Sequence, residues 1–227
     1  MKQIFCLILA VLLVTSLAAC ALDMPQTTPA PSTPPATTTQ PTLELPYVIR
    51  DSGLIIEKMV CYEGDFWEDG SDDHAVDIMA LVIFNPGTEG VRSTDISVWQ
   101  GHRQLRFVVT YLPPGSRVLV LERLRNSYSS EPLTECRCVT LDRNWDPSDA
   151  VTVEPSGIRD LTLRNTTQQD LQAMTLRYKR YSPEAGLYLG GVTYHLTIEP
   201  LGSDKSLLIR PPRYVEGAYR IVLVEPQ

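Results

Sequence analysis

Histidine is scarce in this chain of 227 residues, which carries only His74, His102 and His195, scattered over candidate strands and loops. No Gly-x-Ser-x-Gly elbow, His-Glu-x-x-His helix or phosphate-cradling glycine loop occurs, so the common hydrolase, zinc-protease and nucleotide-binding frameworks find no foothold. Basic charge is also short. Twenty Lys and Arg face 27 Asp and Glu for a net charge of −7, with no basic cluster. That balance argues against nucleic acid and against electrostatic attraction to anionic lipid. Beyond the first fourteen residues no apolar run approaches a membrane span, and no window of twelve residues sustains a helical period.

What is present begins with Met1-Lys2, then an apolar stretch over 4–14, then Leu17-Ala18-Ala19-Cys20. A short positive start, an apolar run too short to span a bilayer and a small-residue site form a secretory signal. The Cys directly after Leu-Ala-Ala resembles the lipobox of bacterial lipoproteins. The resemblance implies a diacylglyceryl group on Cys20, cleavage of a 1–19 signal peptide, and attachment to the extracytoplasmic face of the cell membrane. Two acyl chains suffice for stable anchoring. Residues 25–42 hold six Pro and seven Thr with no charge. Such a segment has nothing to bury and favours extended polyproline II, which predicts a disordered Pro/Thr-rich linker over 20–43.

An exported chain can form disulfides. Cys61 is placed to pair with Cys136 or Cys138, and free thiols are the alternative; a bridge within Cys136-Arg137-Cys138 would be strained.

From residue 54 onward, period-2 alternation and β-branched residues dominate, with turn residues every 8 to 12 positions. Strands are predicted at 54–63, 75–85, 94–100, 104–111, 117–123 and 138–141. A second set follows at 151–154, 158–165, 171–181, 191–199, 206–209 and 218–225. The sets echo each other. Leu81-Val82-Ile83-Phe84-Asn85 matches Leu161-Thr162-Leu163-Arg164-Asn165, and Ile96-Ser97-Val98-Trp99 matches Met174-Thr175-Leu176-Arg177. Leu112-Pro113-Pro114-Gly115-Ser116 matches Leu201-Gly202-Ser203-Asp204-Lys205. Many short strands with regular turns, repeated once, predict an all-β chain of two tandem immunoglobulin-like β-sandwich domains, 44–147 and 148–227; one large sandwich is the rival.

Tyr178-Lys179-Arg180-Tyr181, Gly190-Gly191-Val192-Thr193-Tyr194 and Pro211-Pro212-Arg213-Tyr214, with the Leu-Pro-Pro-Gly turn of the first half, resemble a group of uncharacterised two-domain surface proteins of Gram-positive bacteria. In that group a Tyr-rich hairpin leads into a Gly-Gly-Ile-Thr-Tyr strand. The resemblance covers most of 55–225 and implies the tandem fold; it brings no activity and no catalytic residue.

Two features invite a ligand. The run from Glu63 to His74 gathers six carboxylates around two glycines, which suits either a solvated hairpin tip or oxygen ligands for Ca²⁺, although its spacing departs from the twelve-residue calcium loop. The six tyrosines from Tyr178 to Tyr219 combine apolar rings with polar tips. Tyr181 and Tyr188, near the hairpin tip at Pro183-Glu184-Ala185-Gly186, and Trp67 in the acidic loop are the candidate binding surface. The expectation is a non-enzymatic binding, adhesion-type or scaffolding module on the membrane, with no cofactor and no metal, whose partner is an envelope protein or glycan. A solute-binding lipoprotein of a transporter is an alternative that requires an α/β two-lobed chain. A surface enzyme with an unrecognised site is another, and requires ionisable groups that meet in a pocket.

Overall fold

A computed structural model describes residues 41–71 and 73–226, and the segment from residue 40 onward clusters as one compact unit. Cys20 and nearly all of the 20–43 linker lie outside the described residues. The order is β1 (Tyr47–Val48), β2 (Ile55–Phe66), β3 (Asp73–Phe84), β4 (Val91–Gln100), β5 (Arg103–Leu112), β6 (Arg117–Leu121), β7 (Glu135–Asp142), then β8 (Val151–Pro155), β9 (Leu161–Asn165), β10 (Met174–Ser182), β11 (Leu187–Leu189), β12 (Tyr194–Ile198), β13 (Ser206–Ile209) and β14 (Tyr219–Pro226). The described residues form no helix.

The halves use one plan. In the first, β3 lies between β2 and β6, and β4 between β5 and β7; in the second, β9 lies between β8 and β13, and β10 between β12 and β14. The register repeats as well. Ile83 faces Val118 as Leu163 faces Leu207. Each half has its own apolar cluster, one around Met79, Leu81, Ile96 and Phe107, the other around Leu163, Met174, Leu176 and Tyr178.

Two buried asparagines pin the corresponding turns. Asn85 donates from Nδ2 to the carbonyls of Glu89 (2.9 Å), Leu112 (3.4 Å) and Pro113 (3.3 Å). Asn165 donates to those of Gln169 (2.7 Å), Leu201 (3.1 Å) and Gly202 (3.0 Å). Asn85 Oδ1 accepts from the Gly87 amide, and Asn165 Oδ1 from the Thr167 amide. The backbone amides complete the match, Asn85 N donating to Ser116 O and Asn165 N to Lys205 O. A short amide side chain is what this turn requires, because no water replaces those partners at 0% exposure.

The halves are joined by a strand that the periodicity does not reveal. β11 pairs parallel with β6 of the first half, Tyr188 against Val118 and Leu189 against Leu119, and antiparallel with β10. A sheet thus runs β1-β2-β3-β6-β11-β10-β12 across both halves, with β14 on β10. Gly190, at φ +77°, bends the chain out of β11, and β12 resumes on β10.

The acidic run is a hairpin tip whose Glu63, Asp69, Asp73 and His74 are exposed, but its aromatic residues are not. Phe66 and Trp67 fold back over the outer face of β3 and β6, covering Ile78, Ala80 and Leu121. This explains why residues 78–83 are apolar without alternation: Met79, Leu81 and Ile83 face the first core, while Ile78 and Ala80 face this smaller cluster. Burying two large aromatic side chains there contributes roughly 1.5–3 kcal/mol each.

Candidate functional site

The junction between the halves holds the most unusual chemistry among the described residues. Lys179 on β10 is fully buried, and its three ammonium protons are matched by three acceptors: Thr110 O at 2.8 Å, Gly191 O at 2.9 Å and Thr193 Oγ1 at 3.3 Å. At the N–H of the same residue, the Glu68 carboxylate accepts from Gly191 N (2.9 Å), and it also accepts from Leu121 N (2.8 Å). Gly191 therefore carries a carboxylate on its N–H and an ammonium on its carbonyl, through the two successive peptide groups that flank its Cα. Gly191 has no room for a side chain, since a Cβ would stand 1.7 Å from Val108 O. A pocket of about 120 Å³, lined by Glu68, Val108, Thr110, Leu121, Arg123, Gly191 and Val192, opens beside it.

Burial dominates the electrostatics of both groups. It raises the Glu68 carboxyl well above the usual carboxylate range, opposed by the two backbone N–H groups and by Lys179. It lowers the Lys179 ammonium well below its ordinary range, opposed by Glu68. A raised carboxyl contributes stability that is lost as pH rises through its folded value. A lowered ammonium contributes stability that is lost as pH falls through its own. The pair therefore costs the fold most around neutrality. In urea titrations at pH 5.5, 7.5 and 9.5, the wild type is expected to show a dip at the middle pH that is shallower or absent in Glu68→Gln/Lys179→Met; an equal dip in both would contradict this.

Further contacts line the same seam. Arg180 lies 3.6 Å from Asp65 and 5.0 Å from the Trp67 ring centre, Arg213 donates to Gly70 O at 3.0 Å, and Tyr111 donates to Glu225 Oε1 at 3.2 Å, beside Arg177. Four carboxylates of the acidic loop are engaged in this way. Asp69 and Asp73 both pair with Arg125, Asp65 with Arg180, and Glu68 with main-chain amides. No group of three or more metal-binding side chains forms among the described residues.

The residues expected to face solvent do so only in part. Trp67 is 8% exposed and Tyr188 6% exposed, so neither belongs to an open surface. Trp67 seals the seam, its Cβ beside Gly190, and Tyr188 packs on the first core. Tyr181 is half-buried, set edge-on to Tyr188 with the Arg220 guanidinium 3.6 Å above its ring centre. Among the described residues, Cys61, Cys136 and Cys138 are free thiols. Cys61 is exposed on β2 with Sγ 3.3 Å from Asp77 Oδ1, whereas Cys136 and Cys138 sit two apart on β7, in the other sheet of the first half. The anticipated bridge from Cys61 is therefore not made. Burial pushes the Cys136 thiol up to about 12.

Tyr178, Tyr194, Tyr214 and Tyr219 form one cluster with ring centres 5.7 to 6.4 Å apart, and the Tyr178 hydroxyl donates to Pro212 O at 2.6 Å. Tyr214 and Tyr219 are themselves buried, and only the half-buried Tyr181 beside them reaches the rim. A cleft of about 270 Å³ is lined by Tyr181, Tyr214 and Tyr219 with Pro183, Glu216 and Arg220 among its walls. A second, of about 320 Å³, is bounded by Arg159, Arg210, Arg213 and Pro211-Pro212. Glu68, Lys179 and Gly191 escaped sequence reasoning. Lys179 has the parity of a solvent-facing residue on β10, and only the Gly190-Gly191 pair marks the place in the sequence.

No protein-family model matches the chain, and no curated protein or solved structure does either.

Proposed function

We propose that the protein is a lipid-anchored extracytoplasmic module of two immunoglobulin-like sandwiches that binds or scaffolds another envelope component without catalysis. One observation carries the reading: the ionisable groups at the junction are spent on main-chain partners, while the tyrosine- and arginine-lined clefts of the second half open to solvent. A carboxylate bound to the Gly191 N–H and an ammonium bound to its carbonyl act as a clamp, which favours this reading over a surface enzyme centred on that pocket. An all-β chain favours it over a two-lobed solute-binding protein. The resemblance to two-domain surface proteins and the Leu-Ala-Ala-Cys20 motif supply the location.

The test joins anchor and cleft. Cells making the wild type are expected to hold it in the membrane fraction, and Cys20→Ala is expected to release it. Immobilised wild-type protein is expected to capture a saturable partner, protein or glycan, from envelope extract, with capture lost in Tyr181→Ala/Glu216→Ala. Equal membrane retention of Cys20→Ala would defeat the anchor. No capture, with or without Ca²⁺, would defeat the binding role and leave a spacer.

A further inference from the structure

The chain is acidic as a whole, with a net charge of −7, yet one cleft of the second half gathers cations. The cleft of about 320 Å³ has Arg159, Arg210 and Arg213 in its walls together with Pro211-Pro212 and Tyr214, and no carboxylate among the described residues lines it. All three arginines are exposed.

Two turns build this cleft, and both are held firmly. The first, between β8 and β9, is closed by Ser156 N on Asp160 O at 3.0 Å and by Asp160 N on Gly157 O at 3.3 Å. The second follows β13. Its two prolines fix φ at successive positions, the Tyr178 hydroxyl holds Pro212 O at 2.6 Å, and Tyr214 N holds Pro211 O at 3.2 Å. Arg213 then adopts φ +64°, a conformation uncommon for a side chain of its size and one that concentrates at functional sites. Glu216 N on Ile158 O (2.8 Å) ties the turns together, as does Arg210, which grips Asp160 through Nε (2.7 Å) and Nη2 (3.0 Å). A binding group set on so fixed a frame loses little freedom when it takes a ligand.

The donors outnumber the acceptors offered by the chain. Arg210 spends two of its five N–H groups on Asp160. Arg159 makes no ion pair or hydrogen bond among the described residues. Asp160 shows that one carboxylate satisfies one guanidinium fork. A phosphate group, with more oxygens and more charge, can accept from two guanidinium groups at once. The volume also exceeds what a bare ion needs and lies at the lower end of small-molecule pockets, which start at roughly 300 Å³.

We propose that this cleft binds the phosphate group of a small, water-soluble phosphate ester, with Arg159 and Arg210 on the phosphate and Pro211-Pro212 and Tyr214 against the organic part. The inference deepens the binding role proposed above by naming the ligand class of one of its two clefts. A dissolved ester suits the charge balance better than a bilayer does. Charges farther off than about 8 Å are screened at physiological salt, so a small solute meets mainly the cleft walls, whereas an anionic membrane faces the acidic chain as a whole.

The probe is glycerol 3-phosphate, titrated into the full chain in neutral detergent and followed by NMR at the amides of residues 157–160 and 213–215. Saturable shifts in both turns are expected, with a dissociation constant of about 1 mM or tighter. Arg159→Gln should weaken binding at least about tenfold, and its exposed, unpaired position leaves the fold intact. Lys58→Gln removes the same charge from exposed β2 and should leave binding unchanged. Acetate should bind at least about tenfold more weakly than the ester. No saturation up to about 10 mM, an equal loss in Lys58→Gln, or equal binding of acetate would each overturn the proposal. Capture of phosphatidylglycerol vesicles that Arg159→Gln abolishes would assign the cleft to a lipid surface and overturn it as well. A failure here leaves capture of an envelope partner through Tyr181 and Glu216 standing, and loss of that capture leaves ester binding standing.

Discussion

Gly191→Ala is expected to cost the folded chain more than about 3 kcal/mol, enough to populate unfolded protein at ordinary temperature. The added methyl would stand 1.7 Å from Val108 O and 2.8 Å from Glu68 Oε2. Neither neighbour can yield. Val108 lies on β5, paired with Asp95 of β4, and Glu68 is fixed by two amides. Moving Gly191 away instead would break its carbonyl bonds to Thr110 and Lys179, leaving a buried ammonium short of an acceptor. Gly157→Ala is the control, because a Cβ there meets only Asp160, at 3.4 Å, and should change stability by under about 0.5 kcal/mol. Chemical denaturation of both variants checks the contrast; a mild Gly191→Ala would mean that the junction is looser than its distances imply.

The second large effect is expected at the repeated asparagines. Asn85→Ala and Asn165→Ala each remove a side chain that serves three carbonyls and one amide within a turn of 0% exposure at the asparagine. Partners left unpaired forfeit their desolvation cost, and about 2–4 kcal/mol per substitution is expected. Asp at either position should fare no better. It keeps the acceptor for the Gly87 or Thr167 amide but turns a carboxylate oxygen toward three carbonyls. The matched geometry predicts similar losses in the two halves. A near-neutral result at one of them would break the equivalence of the two turns.

What the sequence made legible was whatever two-residue periodicity and turn chemistry record. The Asn85 and Asn165 turns, the aligned Leu-Pro-Pro-Gly and Leu-Gly-Ser-Asp turns, and the shared parity of Met174, Leu176 and Tyr178 all follow from residues whose local context fixes their role. What stayed hidden depends on the meeting of the halves. β11 has three residues and no period of its own, and exists as a strand because β6 receives it. Lys179 reads as solvent-facing because one carbonyl partner, at 110, is far along the chain and the other, at 191, is reached only through the β11 insertion. Trp67 and Tyr188 read as exposed because polar residues and a hairpin tip surround them, yet the seam buries both. Charge density in 63–74 suggested solvent, which holds for Glu63, Asp69 and Asp73, whereas Asp65 and Glu68 are directed at Arg180 and the junction amides.

The account rests on a junction that makes the two repeats one folding unit. Native-state hydrogen exchange across a urea series tests this most directly, read at amides of β3 and β6 in the first half and of β9 and β13 in the second. The account predicts that the slowest amides of both halves converge on one opening free energy and one denaturant dependence, because neither half opens without exposing Lys179 and Glu68. Two distinct free energies, with the second half opening while β3 and β6 stay protected, would contradict it and reduce the Gly191 clamp to a contact between independent domains.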